Sequence, residues 1–136
     1  MPTLNYNRPD GLPIIEVGVR YHPLKGAAHP SGACPEKRVL ALIDTGATHV
    51  VLKPNIVASL ELPFAANMNN TVVGGGRHLV PSYAADIIFG TTTSFTVTDV
   101  LVLSQDLHGF DMLIGWDVLR FTDWQFNRDG SFSQTW

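Results

Sequence analysis

The sequence predicts an all-β barrel or sandwich. Short runs rich in β-branched and aromatic residues recur along the chain. Clusters of glycine, proline and asparagine separate them at close intervals. Helical periodicity is almost absent, and this combination is the pattern of many short strands joined by turns. The 136 residues make one domain the natural expectation, 1–136, with a core over about 14–120 and a C-terminal hairpin over 121–136. A chain of that size buries enough surface for a self-sufficient core.

Ile14–Arg20 opens the series as a β-branched strand. Tyr21–Arg38 holds Pro23, Gly26, Pro30, Gly32 and Pro35 and reads as a long surface loop. Loops of this length are uncommon in compact domains and are often functional. Val39–Ile43 and Val50–Leu52 are short buried strands. Ile56–Leu62 lies between Pro54 and Pro63 and reads as a short helix, although its alternation also fits a strand. Thr71–Val73 and His78–Val80 flank Gly74-Gly75-Gly76, a hairpin with glycine at its tip. Tyr83–Phe89 and Phe95–Leu103 continue the strands, with Gly90–Thr93 as their turn. Met112–Ile114 is a further buried run, and a brief helix follows at Asp117–Arg120. Thr122–Phe126 and Phe132–Trp136 form a hairpin around Asn127–Gly130, with Trp124, Phe126, Phe132 and Trp136 as its inward face.

Composition excludes several classes. The net charge is −3 and no basic stripe occurs, so a nucleic-acid footprint is lacking. Cys34 is alone, so no intrachain disulfide forms, which suits a reducing compartment. The first residues carry no apolar signal region, and no run reaches the ~20 apolar residues of a membrane helix. The expectation is a soluble cytoplasmic protein without membrane or nucleic-acid partners.

One stretch carries chemistry. In Ala41-Leu42-Ile43-Asp44-Thr45-Gly46-Ala47-Thr48-His49-Val50, an acid follows three apolar residues directly, and Thr45-Gly46 turns the chain. An unpaired acid is costly in such surroundings. Asp44 therefore belongs at a strand end on a rigid loop, a setting that suits acid–base work. A single carboxyl cannot give and take a proton in one step, whereas two facing carboxyls sharing a proton can. Leu113-Ile114-Gly115 weakly echoes Leu42-Ile43-Asp44 in its apolar-apolar-turn form.

Asp44-Thr45-Gly46-Ala47 in its apolar frame resembles the active-site loop of retropepsin-like aspartic peptidases. Met112-Leu113-Ile114-Gly115-Trp116-Asp117-Val118-Leu119 resembles their second motif, and Val72–Arg77, with its glycines, resembles their flap. The three features span Ile14 to about Arg120. The resemblance implies a retropepsin-like acid protease barrel, a single lobe with one flap hairpin and one short helix. It implies Asp44 as catalytic acid, Thr45 as a tie across the dyad, and Gly46 as a backbone partner of substrate. Ala47, Thr48, Val73, Gly74, Gly75 and Gly76 become substrate-binding residues, and Leu113, Ile114 and Gly115 support the loop. Only one Asp44-Thr45-Gly46 motif exists in the chain, so a homodimer with one aspartate per subunit is implied. The substrate would be an extended peptide, bound much as an added strand, with no metal or organic cofactor. The C-terminal hairpin differs from the single terminal strand of viral members. Ala47 lacks the hydroxyl that many pepsin-like relatives place beside the carboxylate, which implies a less acidic pH optimum.

Other readings are weaker. A non-catalytic peptide-binding or dimerisation module of the same fold has no use for a buried acid. His22, His29 and Cys34 share a loop, but their spacing matches no standard zinc pattern. His49 reads as a substrate-side or exposed residue. Cys34 has no helix start to activate it as a nucleophile. Asp86, Asp99, Asp106, Asp111, Asp117 and Asp123 read as turn, cap or surface acids, and the three tryptophans as core and interface aromatics.

Overall fold

The computed structural model describes residues 3–7, 10, 12–71, 77–91, 93–102 and 109–136. Most of the chain is strand. β1 spans Thr3–Asn7, β2 Ile14–Tyr21, β3 Glu36–Ile43 and β4 Val51–Leu52. The helix α1 (Pro54–Leu60) follows, then β5 (Phe64–Thr71), β6 (Arg77–Phe89) and β7 (Thr93–Val102). β8 (Met112–Ile114), the single-turn helix α2 (Trp116–Leu119), β9 (Asp123–Phe126) and β10 (Ser131–Thr135) complete the chain.

The larger sheet runs in the order β2-β3-β8-β4-β7-β6-β5, and a second pairing of β2 with β6 closes it into a barrel. β6 makes this possible by its length. Its first half pairs with β5 and its second half with β7 and β2, so one strand serves both an extended arm and the barrel wall. Val17, Val19, Ala41, Leu52, Ile87, Val100, Met112 and Ile114 fill the interior, all 3% exposed or less. Their alternation along each strand is the period-two pattern of a sheet with one buried face.

The order of three strands has a geometric consequence. β8 lies between β3 and β4, parallel to the first and antiparallel to the second. The segment joining β3 to β4 must therefore cross over the end of β8. That segment is 44–50, which holds Asp44.

α1 is a helix rather than the alternating strand that its sequence also permitted. Pro54 takes the first helical position, where its fixed φ fits and its missing N–H costs nothing. Ile56, Val57 and Leu60 are buried while Ala58 is not, which is a helical and not an alternating face. Glu61 ends the helix in the left-handed conformation at φ 49°.

Two strands escaped the sequence reading. Phe-Ala-Ala-Asn-Met-Asn-Asn-Thr over β5 is poor in β-formers, and the strand exists because β6 offers it a ladder from Phe64–Tyr83 to Thr71–Arg77. β1 pairs with β10, which a local reading of the N-terminus does not reveal. The predicted loop also proved shorter, because β3 starts at Glu36 and β2 runs through Tyr21. Asp86 is no surface acid. It is 7% exposed, paired with Arg20 at 3.1 Å and accepting a hydrogen bond from Thr96 at 2.7 Å.

β1, β10 and β9 form a separate three-stranded antiparallel sheet. Its inner face differs from expectation at one residue. Phe132 is buried and Trp124 and Trp136 pack against the core, but Phe126 is 51% exposed. The buried neighbour of Phe132 on the same strand face is Gln134, whose Oε1 accepts a hydrogen bond from the Tyr6 hydroxyl at 3.0 Å. Burial pushes the Tyr6 phenol up to about 12. Tyr6→Phe leaves the Gln134 carbonyl oxygen without that donor. The expected cost is about 1–2 kcal/mol in denaturant unfolding, and an unchanged midpoint would contradict it.

Candidate active site

Asp44 stands immediately after β3, half-buried, at the start of the crossing loop. Its backbone is fixed first. Its N–H donates to the Ile114 carbonyl at 3.0 Å, extending the β3–β8 ladder by one bond. Its own carbonyl accepts from Ala47 N–H at 3.1 Å, closing a tight turn. Within that turn the Gly46 N–H donates to Asp44 Oδ1 at 2.9 Å. A charge-assisted bond of this kind orients the carboxylate and leaves Oδ2 for another task. Thr45 and Gly46 are exposed at the tip, as is Thr48, while Ala47 is half-buried.

Gly115 follows β8 directly beneath the loop. A Cβ there would lie 2.7 Å from the His49 carbonyl oxygen and 2.8 Å from both the Ala47 oxygen and the His49 nitrogen. Its backbone is extended, with φ −102° and ψ −172°, a conformation open to any residue. The requirement for glycine is therefore one of space and not of conformation.

The start of α2 completes the support. The first N–H groups of a helix have no partner within it. Here Trp116 N–H donates to the Ala47 carbonyl at 3.0 Å and Asp117 N–H to the Thr48 carbonyl at 3.1 Å. The Trp116 indole N–H reaches the Thr45 carbonyl at 2.6 Å. Asp117 Oδ2 accepts from Val50 N–H at 2.9 Å. Ile114 is fully buried and Leu113 half-buried. Beside Thr45 a pocket of about 240 Å³ is lined by Ile43, Thr45, Trp116, Leu119, Trp124 and Phe126, among others.

The remaining sequence expectations divide. Val73, Gly74, Gly75 and Gly76 lie outside the described residues. The β5–β6 arm that leads to them is described, and it carries Leu79 at 69% exposure. His22, His29 and Cys34 do not gather. His22 pairs with Asp86 at 3.1 Å, His29 with Glu61 at 3.2 Å, and Cys34 is exposed. His49 is half-buried and bonded, with Nδ1 2.8 Å from Asp99 Oδ2. Asp117 faces the same pair. Sequence reasoning missed the tie from Trp116 and this cluster. An acid in the first turn of a helix following Gly115 was a usable signal for Asp117, but nothing local pointed from His49 to Asp99, 50 residues away.

Burial pushes the Asp117 carboxyl up to about 6 from an ordinary 3.8. The Val50 N–H bond opposes the rise, repulsion from Asp99 and a side-chain hydrogen bond with it add to the rise, and His49 opposes it weakly.

A strand-end acid held by a loop that crosses a glycine, at the end of an apolar barrel, fits the class of aspartic peptidases. Comparison with known proteins agrees with that class. The family profile described as aspartyl protease matches residues 31–118. The chain belongs to this aspartyl protease family. Among solved structures it resembles a retropepsin-like aspartic protease from Rickettsia conorii, with TM-score 0.61 and 14% identity, covering 99% of this chain and 92% of that one. It also resembles the EIAV protease in complex with the inhibitor HBY-793, with TM-score 0.53 and 19% identity, covering 81% of this chain and 86% of that one. These likenesses establish the retropepsin-like fold. No curated protein matches the sequence. No helix among the described residues is long and apolar enough to cross a membrane.

Two predictions concern this geometry. Gly115→Ala pushes a methyl into backbone atoms that cannot swing aside, and is expected to destabilise by about 2–3 kcal/mol or more in chemical denaturation. A variant as stable as the parent would contradict the crowding. For Asp117, the folded state binds more protons than the unfolded between about pH 4 and 6. The contribution of this group to stability therefore falls as pH rises through that window. Asp117→Asn keeps an oxygen for Val50 N–H and lacks the titration. The stability of the variant relative to the parent is expected to rise from about pH 4 to 6, and a constant difference would contradict the shift.

Proposed function

We propose that the protein is an aspartic endopeptidase that acts as a homodimer, with one Asp44 from each subunit. The observation that carries this reading is the single Asp44-Thr45-Gly46 turn held over Gly115, with Asp44 Oδ1 engaged by Gly46 N–H. Such a carboxylate is oriented for one proton transfer, and hydrolysis of an amide needs two groups. One chain supplies one, so the second comes from a second copy across a twofold axis.

In this reading the two carboxyls share a proton, because both cannot ionise at close range. The ionised one takes a proton from water, which attacks the carbonyl carbon of the scissile bond. The protonated one hydrogen-bonds to the carbonyl oxygen as charge develops there. General acid–base catalysis of this type contributes roughly 10²–10⁴-fold. Thr45 ties the two loops across the axis. Gly46, Ala47 and Thr48 line the substrate backbone from below, and Val73, Gly74, Gly75 and Gly76 are assigned to substrate binding as well. Leu113, Ile114 and Gly115 hold the loop from beneath. The substrate is an extended peptide or protein segment, bound by strand-like hydrogen bonds with side-chain pockets setting preference. The pocket beside Thr45, with exposed Trp116 and Phe126, supports a subunit contact next to the dyad.

The test is Asp44→Asn, assayed on a library of extended peptides. Cleavage is expected to fall by at least about 10³-fold with circular dichroism and dimer content unchanged. Cleavage retained in the variant would end the catalytic assignment. A parent that binds peptides and cleaves none would favour a binding module of the same fold.

A further inference from the structure

His49, Asp99 and Asp117 have no role in the reaction proposed above, yet they meet from three separate elements. His49 comes from the crossing loop, Asp99 from β7 and Asp117 from the first turn of α2. His49 Nδ1 lies 2.8 Å from Asp99 Oδ2, and one donor atom from each of the three lies within 4.8 Å of the others.

The polar atoms of this cluster are incompletely satisfied. Asp117 Oδ2 accepts from Val50 N–H, but Oδ1 is sealed from solvent and has no hydrogen-bond partner. Asp99 serves it only while one of the two carboxyls holds a proton, and with both ionised the pair repels. A buried acceptor without a donor is costly. The only other group of the trio is the imidazole, already turned to Asp99. A cation among the three would meet the open oxygen and relieve the repulsion together.

The donor set selects the kind of cation. One imidazole nitrogen with two carboxylate oxygens suits zinc and its first-row neighbours, whereas magnesium and calcium take all-oxygen shells. Zinc bonds of about 2.0–2.2 Å draw three ligands closer than 4.8 Å, so small side-chain rotations complete the site. A pocket of about 240 Å³, lined by Thr96, Thr98, Asp99, Asp117 and Arg120 together with Val97 and Phe121, adjoins the cluster and gives room for water as the remaining ligand. With both carboxyls ionised and the imidazole neutral the trio carries two negative charges, against the single positive charge of Arg120 at the adjoining pocket.

We propose that His49, Asp99 and Asp117 form a binding site for one divalent transition-metal ion of the zinc class. The ion ties the crossing loop to β7 and α2 from within a single subunit. It thereby stiffens the segment that holds Asp44, without touching that carboxylate. The site stands on this geometry and does not require the peptidase reading.

Zinc chloride alone, titrated calorimetrically into the reduced full chain, tests it. One saturable zinc per chain is expected, with a rise in Tm. His49→Gln and Asp99→Asn are each expected to weaken binding at least tenfold, while His22→Gln, Cys34→Ser and Asp44→Asn leave it intact. Cobalt(II) should show visible d–d absorption that the first two variants lose. The absence of saturable binding would overturn the proposal. So would unchanged affinity in both His49→Gln and Asp99→Asn, which would leave the trio as a proton-sharing ion pair. Retained Asp44→Asn binding with lost cleavage separates this site from the catalytic one.

Discussion

The structure depends on a crossing with no spare room. β8 lies between the two strands that flank Asp44, so the loop joining them must pass over the residue that ends β8. The approach is so close that a single methyl on Gly115 would collide with two carbonyl oxygens and a backbone nitrogen. Once the loop is that near, its carbonyls lie where the first N–H groups of α2 need acceptors, and its amides where Asp117 supplies one. The N–H groups of Trp116, Asp117 and Val50 thus find their acceptors across this contact. The carboxylate of Asp44 is positioned as a by-product of this mutual satisfaction, which is why a loop can hold it as firmly as a strand.

The same geometry explains how much of the site was legible in the sequence. An acid after three apolar residues and before Thr45-Gly46 is a local pattern, and so is Leu113-Ile114-Gly115 before a helical turn. Both are strand ends that chain chemistry alone can locate. The ladder that makes β5 a strand is a different matter, because Phe64–Thr71 has little strand character of its own and borrows its conformation from β6. β1 likewise depends on a partner more than 120 residues away, with Thr3 opposite Thr135. Phe126 shows a further limit. Alternation places it on the inner face, where it stacks on Trp124 and Phe132, yet among the described residues the ring remains half in solvent.

The burial of polar groups sorts function from architecture. Asp86 is buried and engaged by Arg20, His22 and Thr96, so it contributes to the barrel wall and has no spare valence. Asp44 is half-buried with one oxygen engaged at the mouth of the loop, which is the condition a reacting group needs. Asp117 lies between these extremes, with one oxygen committed to the loop and the other enclosed beside Asp99. Three carboxylates of one chemical type thus acquire different capacities from the number of donors that the fold brings to each.

The central claim is that two copies of Asp44 meet and share one proton. It is tested most directly by mixing parent protein with a growing excess of Asp44→Asn protein under conditions of free subunit exchange, then measuring peptide cleavage at fixed total concentration. A shared dyad predicts activity that falls with the square of the parent fraction, since only parent–parent pairs cleave. Activity that falls in simple proportion would mean that each chain works alone, and would contradict the account.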